Sequence, residues 1–264
     1  MLRKRILTAL VATPLALYVF WQGGSLFAAC MLFLALAGWY EYVQMMNAKS
    51  FRSLPIIGGL CVLALVGMTW LHGLGQLAPL SFAALSVILS LTVLNYNHFT
   101  VPDAAYNLLG VFYVGIPFAH IIALRLFPGT MGMKYFAMAM LGTWACDTVA
   151  YFGGTRWGRH KLCPPISPAK SVEGAVFGFF GCIAATMIAG YYMDLSVADR
   201  VFCGSLVGVF CQLGDLVESA IKRNMGVKDS GQFFPGHGGV LDRVDSLLFS
   251  VPAVYYYLVF LAGH

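Results

Sequence analysis

Apolar runs long enough to cross a bilayer recur from one end of this 264-residue chain to the other, interrupted by Gly and Pro. A backbone in hydrocarbon finds no water for its N–H and C=O groups, so only helices or a closed barrel can span it. Barrel strands alternate apolar and polar residues over about 10 positions, whereas these runs stay apolar over about 17–25. Helical spans are therefore predicted. The charge count agrees: 16 Lys or Arg and 11 Asp or Glu against 59% apolar residues leave too little polar surface for a soluble enzyme or a disordered chain.

The predicted fold class is an all-α polytopic membrane protein with nine spans, at 6–22, 25–45, 54–72, 79–95, 104–124, 133–154, 172–193, 201–221 and 245–262. Gly23-Gly24, Gly73-Leu74-Gly75, Pro102, Pro128-Gly129, Pro164-Pro165 and Pro235-Gly236 mark many of the breaks. The chain reads as one integral membrane domain over 1–264, with an N-terminal helical part (1–132) and a C-terminal catalytic part (133–264). Arg3-Lys4-Arg5 precedes a span that is expected to be retained, since no small-residue cleavage site leads into a soluble domain. The seven Cys show no metal or redox spacing and read as buried packing residues.

With the N-terminus cytoplasmic, 13 of the 16 basic residues fall in inside loops, and only Arg125, Lys134 and Arg200 fall outside. The positive-inside rule favours that orientation, with the C-terminus outside and the active site on the cytoplasmic side. Basic residues placed in this way are topology signals, so no nucleic-acid partner is expected. The two longest inside loops, 155–171 and 222–244, hold most of the remaining polar chemistry.

A carboxylate near hydrocarbon is costly unless paired, solvated or bound to a cation. Five of the eleven acidic residues lie between 215 and 245. Asp215, Glu218, Ser219 and Lys222 share one helix face, and Asp242 and Asp245 share another. Between them runs a Gly-rich loop from Lys228-Asp229 through His237-Gly238-Gly239, whose backbone N–H groups suit a phosphate. Hard carboxylate oxygens suit Mg²⁺, and the adjacent Lys and Arg suit phosphates. For any single residue here, an interhelical salt bridge or a solvated loop is the competing reading.

A second cluster contains Lys161, Ser167, Lys170, Ser171 and Glu173. Ser171 and Glu173 equally suit an N-cap and first helical turn, and Lys161 and Lys170 equally suit topology signals. Asp147 lies within the sixth span with Thr143 and Tyr151 four residues to either side, a polar face expected to point into the protein. Glu41 reads as a solvated anchor at the end of span two, and His72, His98 and His120 as isolated packing or interface residues.

The run from Ser219-Ala-Ile-Lys222-Arg223 through Lys228-Asp229-Ser-Gly-Gln-Phe-Phe-Pro-Gly-His237-Gly238-Gly239 to Asp242-Arg243-Val-Asp245 resembles the signature of the phosphatidate cytidylyltransferases, or CDP-diacylglycerol synthases. The segments Asp147-Thr-Val-Ala-Tyr151-Phe-Gly-Gly and Ser167-Pro-Ala-Lys-Ser-Val-Glu-Gly are similar to that family as well. Ala169 and Ser171 depart from it, standing where a second lysine and a threonine are usual.

The resemblance implies a Mg²⁺-dependent nucleotidyltransferase of phospholipid biosynthesis that moves CMP from CTP to phosphatidate, giving CDP-diacylglycerol and pyrophosphate. By the same resemblance Asp215, Asp242 and Asp245 would bind Mg²⁺, with or without a second cation, and Lys222 and Ser219 would join them in catalysis. Lys161, Ser167, Lys170, Ser171, Arg223, Lys228, His237, Gly238, Gly239 and Arg243 would contact substrate. Asp147, Glu173, Glu218 and Asp229 would support them. The partners expected are CTP, phosphatidate and the bilayer, with a homodimer as the assembly and the bacterial inner membrane as its place. A CDP-alcohol phosphatidyltransferase lacks support because its DG-x2-AR-x8-G-x3-D-x3-D pattern is absent. A CTP-dependent polyprenol kinase would release CDP instead of pyrophosphate. A cation transporter would account for Asp147 and Asp215 but not for the long basic, Gly-rich loop.

Overall fold

A computed structural model describes residues 13–234 and 238–261. Arg3, Lys4, Arg5, His237 and His264 lie outside the described residues. Helices form at each of the nine predicted positions: α1 over residues 13–22, α2 Gly24–Ala48, α3 Pro55–His72, α4 Leu77–Leu94, α5 Val101–Arg125, α6 Met131–Trp157, α7 Val172–Tyr192, α8 Val197–Asn224 and α9 Leu241–Phe260. Six stretches among the described residues are long and apolar enough to cross a membrane: α2, α3, α4 with the short 3₁₀ turn before it, α5, α7 and α8. α6 and α9 are more polar, α6 carrying Asp147 and several Gly and Thr, α9 opening on Asp242, Arg243 and Asp245.

The helical reading gains one addition. Lys161–Cys163 (β1) and Ser167–Ser171 (β2) pair antiparallel, Lys161 opposite Ser171 and Cys163 opposite Ser167, with an irregularity between. The hairpin turns at Pro164-Pro165, where a missing N–H cannot disturb a ladder.

Helix ends follow local chemistry. Pro55 starts α3, where its absent N–H has no helical partner to lose, and Gly73 stops it at φ 73, a left-handed conformation that favours Gly. Ser171 caps α7 by accepting the Gly174 N–H on Oγ at 3.1 Å, and Glu173 lies in the first turn. Lys222 and Arg223 occupy the last turn of α8, where their charge complements the helix dipole.

The chain divides into two compact units: Met1–Ala123 with Asn224–Arg243, and Leu124–Arg223 with Val244–His264. In the first, aromatic side chains fill space left by glycine. Trp39 covers Gly58, Tyr42 covers Gly110, and their polar tips donate to Pro55 O (2.9 Å) and Tyr106 O (3.0 Å). Asp103 and Asn107 of α5 accept the Arg52 and Leu54 N–H groups at 2.9 and 2.8 Å, fixing the loop before α3. In the second unit α6 and α7 meet along small residues. A Cβ on Gly174, Gly178 or Gly181 would come within 2.7–2.9 Å of Ala150, Cys146 or Val149, so only glycine permits this approach.

Candidate active site

The α6–α7 seam ends, at Gly153-Gly154 and Gly174, beside a cavity of about 360 Å³ in the second unit. Asp147, Tyr151 and Thr155 of α6, Lys170 and Ser171 of β2, and Gln212 and Asp215 of α8 line it. Helical spacing explains the contribution of α6, because residues 147, 151 and 155 follow one another at i+4. The hairpin adds Lys170, and its pairing with β1 fixes the strand that carries it.

Lys170 Nζ donates to Asp215 Oδ2, the two side chains being equally half-buried at 29% exposure. Ser219, one turn further along α8, donates to Asp215 Oδ1 at 3.4 Å. Asp147 is exposed to the cavity and not enclosed by neighbours, and it lies in the electrostatic field of both Asp215 and Lys170. Asp245 lies in the field of Asp215, Asp147 and Lys222. Its α9 backbone approaches α8 so closely that Gly214 has no room for a side chain, the obstacle being the Asp245 carbonyl. The three carboxylates repel one another, and positive charge from Lys170 beside Asp147 and Asp215 and from Lys222 beside Asp245 offsets part of that repulsion.

The remaining predicted residues fall into distinct settings. Ser171 Oγ is engaged in capping. Glu173 accepts from the Arg159 N–H (3.0 Å), the His160 N–H (3.2 Å) and His160 Nδ1 (2.6 Å), and so holds the turn between α6 and β1. Lys222 is buried and pairs with Glu218, which is 1% exposed. Arg223 Nε donates to Ile166 O at 3.3 Å, tying α8 to the hairpin turn. Lys161 is exposed on β1 and Ser167 is half-buried on β2.

Asp242 belongs to the other unit and has a different environment. Its Oδ2 accepts from the Ser230 N–H (3.0 Å), Ser230 Oγ (2.9 Å) and the Gly239 N–H (2.8 Å). Gly238, at φ 89, sits against the same carboxylate. Lys228, Asp229 and Arg243 are exposed. Within the second unit Asp215, Asp245 and Asp147 share one electrostatic neighbourhood, and within the first the loop donates to Asp242. Among the described residues no three His, Cys, Asp or Glu side chains converge closely enough to cage a metal by themselves.

Two residues escaped the reading of the sequence. Gln212 lines the cavity while its Nε2 donates to Gly208 O (2.7 Å) and Ala175 O (3.1 Å); its place one turn before the charged face of α8 was the available signal. Glu41, read as a solvated anchor, is 5% exposed and accepts hydrogen bonds from the 230–241 loop. Its partners lie 189–200 residues away, so no local pattern marks it.

The model of the cytidylyltransferase family matches residues 3–261. A protein of Staphylococcus saprophyticus named phosphatidate cytidylyltransferase is 38% identical over 98% of this chain and 99% of its own length. Proteins of the same name from Staphylococcus haemolyticus and Staphylococcus aureus are each 36% identical over the same shares. A family match over nearly the whole length, joined to a lysine and carboxylate cluster suited to phosphates, leads to one conclusion: this chain belongs to the cytidylyltransferase family.

Proposed function

We propose that this membrane enzyme transfers CMP from CTP to phosphatidate, giving CDP-diacylglycerol and pyrophosphate. Its relatives over 98% of the chain carry the name of that activity. The observation that carries the reading on this chain is the Lys170–Asp215 pair facing a cavity beside Asp147. The lipid phosphate is itself the nucleophile, so the protein needs no covalent intermediate. One phosphate oxygen of phosphatidate forms a bond to the α-phosphorus of CTP, the α–β anhydride P–O bond breaks, and pyrophosphate leaves with the bonding electrons. Such a transfer needs alignment and charge neutralisation.

Lys170 supplies positive charge at the cavity, and Asp215 and Ser219 orient it. Asp215, Asp245 and Asp147 fit Mg²⁺, because their oxygens are hard, anionic and mutually repelling. Their failure to close a cage suits an ion that keeps waters and takes its remaining ligands from substrate phosphates. When bound, the ion would polarise the α-phosphate and offset the charge of the leaving group. The concentration of basic residues in alternate loops supports a site on the cytoplasmic face, with the N-terminus inside and the C-terminus outside, and the reading takes the bacterial inner membrane as its place.

The test is to supply the purified protein with phosphatidate and CTP labelled separately in the α- and γ-phosphates. Label from the α-position is expected in the lipid, and γ-label in pyrophosphate. Transfer of γ-label to the lipid, with release of CDP, would identify a kinase instead.

A further inference from the structure

Glu41 sits in the last two turns of α2, yet its carboxylate is enclosed by a loop nearly two hundred residues away. Oε1 accepts the Val240 N–H at 2.8 Å. Oε2 accepts the Leu241 N–H at 3.0 Å and the Ser230 hydroxyl at 3.2 Å. The one carboxylate therefore holds both flanks of the Gly-rich loop, before it and after it. Backbone donors to an anion make shorter and stronger bonds than those to a neutral acceptor.

The glycines of the loop point the same way. A Cβ on Gly231 would stand 2.6 Å from Glu41 Oε1, and one on Gly239 would stand 2.5 Å from Glu41 Oε2. Glu41 occupies the space at Gly231, and Ser230 Oγ, 2.2 Å from the added Cβ, occupies it together with Glu41 at Gly239. Ser230 Oγ lies between the two carboxylates, 3.2 Å from Glu41 Oε2 and 2.9 Å from Asp242 Oδ2, and its one hydroxyl proton serves either of them in turn, while the Ser230 N–H donates to Asp242 at 3.0 Å. A buried carboxylate is retained only where such bonds offset its desolvation. Their concentration on one loop shows what the charge is used for.

We propose that Glu41 is a positioning residue for the CMP-transfer reaction: its anion fixes Ser230, Val240 and Leu241, and through Ser230 the Asp242 side chain, before substrate binds. This rests on the functional reading above. The residues that Glu41 holds lie within the 219–245 stretch that resembles the family signature, and a group held in place before substrate binds need not reorganise during the reaction, so the defect on losing the anion falls on turnover.

Glu41→Gln keeps the shape but replaces one acceptor oxygen with an NH₂ group that opposes the loop's own donors. In full-length protein in detergent, hydrogen exchange at the Val240 and Leu241 amides is expected to rise about tenfold. The kcat per folded enzyme is expected to fall about tenfold or more, with a smaller change in the KM for CTP. Glu41→Asp, which keeps the anion on a shorter arm, should recover part of both, and Gln44→Ala, an exposed neighbour on α2, should change neither. Unchanged kcat per folded enzyme with raised exchange would reduce Glu41 to a structural tether and overturn the proposal, as would unchanged exchange. If Glu41→Gln fails to fold, Ser230→Ala removes the bridging hydroxyl and is read by the same two measurements. A wild-type enzyme that transfers no CMP would overturn the functional reading, while the exchange comparison would still judge the clamp.

Discussion

Lys170 and Asp215 meet although 45 residues separate them, because the hairpin carries the lysine to the face of α8 that holds the aspartate. If Lys170 serves a substrate phosphate, Lys170→Met removes a charge-assisted contact, expected to cost about 1.5–3 kcal/mol of transition-state stabilisation. Steady-state kinetics should show that loss in kcat/KM, whereas Arg52→Ala, on a short loop in the other unit, should show none. The two aspartates at the start of α9 should also separate. Asp245→Asn removes a carboxylate from the acidic cluster, so its activity should recover in part as Mg²⁺ is raised. Asp242→Asn weakens loop bonds that Mg²⁺ does not replace, so its defect should persist. Equal rescue of both would place Asp242 with the cation. The cluster that brings Asp215 and Asp245 into one electrostatic neighbourhood was legible in the sequence as a concentration of charge. The loop bonds of Asp242 and the burial of Glu41 were not legible, because which donors reach a carboxylate is decided by loop geometry and by partners distant in the chain.

At the scale of elements, the helices among the described residues were legible from continuous apolar runs, which have few other solutions in lipid, and six stretches are long and apolar enough to cross a membrane. The β1–β2 hairpin was not legible: three prolines and no alternation of apolar residues hide it, and its strands are only three and five residues long. The α6–α7 seam explains glycines that the sequence offered only as breaks. Gly178 lies where a Cβ would stand 2.8 Å from the Ala150 Cβ and 2.9 Å from the Cys146 carbonyl oxygen. Gly178→Val should therefore overpack the seam and destabilise the protein by about 1–3 kcal/mol, read as a lower melting temperature in detergent. Activity should fall as well, because α7 packs against the α6 segment that carries Asp147 to the cavity. Gly67 has open space around it, and Gly67→Ala should leave both measurements near wild type.

The whole molecule draws its signature from both compact units, since the chain leaves the second after Arg223 and rejoins it at Val244. CTP is a cytosolic nucleotide, so the functional reading requires the exposed loop residue Asp229 to face the cytoplasm. In a Cys-free background, Asp229→Cys should resist a membrane-impermeant thiol reagent in intact cells and react in inverted vesicles. Thr130→Cys, exposed in the loop between α5 and α6, should show the opposite pattern. Labelling of Asp229→Cys from outside would contradict the orientation and CTP use together. The most direct measurement of the central claim compares wild-type protein with Asp215→Asn, both shown to be folded, in the transfer of α-phosphate label from CTP to phosphatidate. The account predicts CDP-diacylglycerol and pyrophosphate in equal amounts from the wild type, and loss of both from the variant. Undiminished transfer by Asp215→Asn would contradict the site, and release of CDP by the wild type would contradict the reaction.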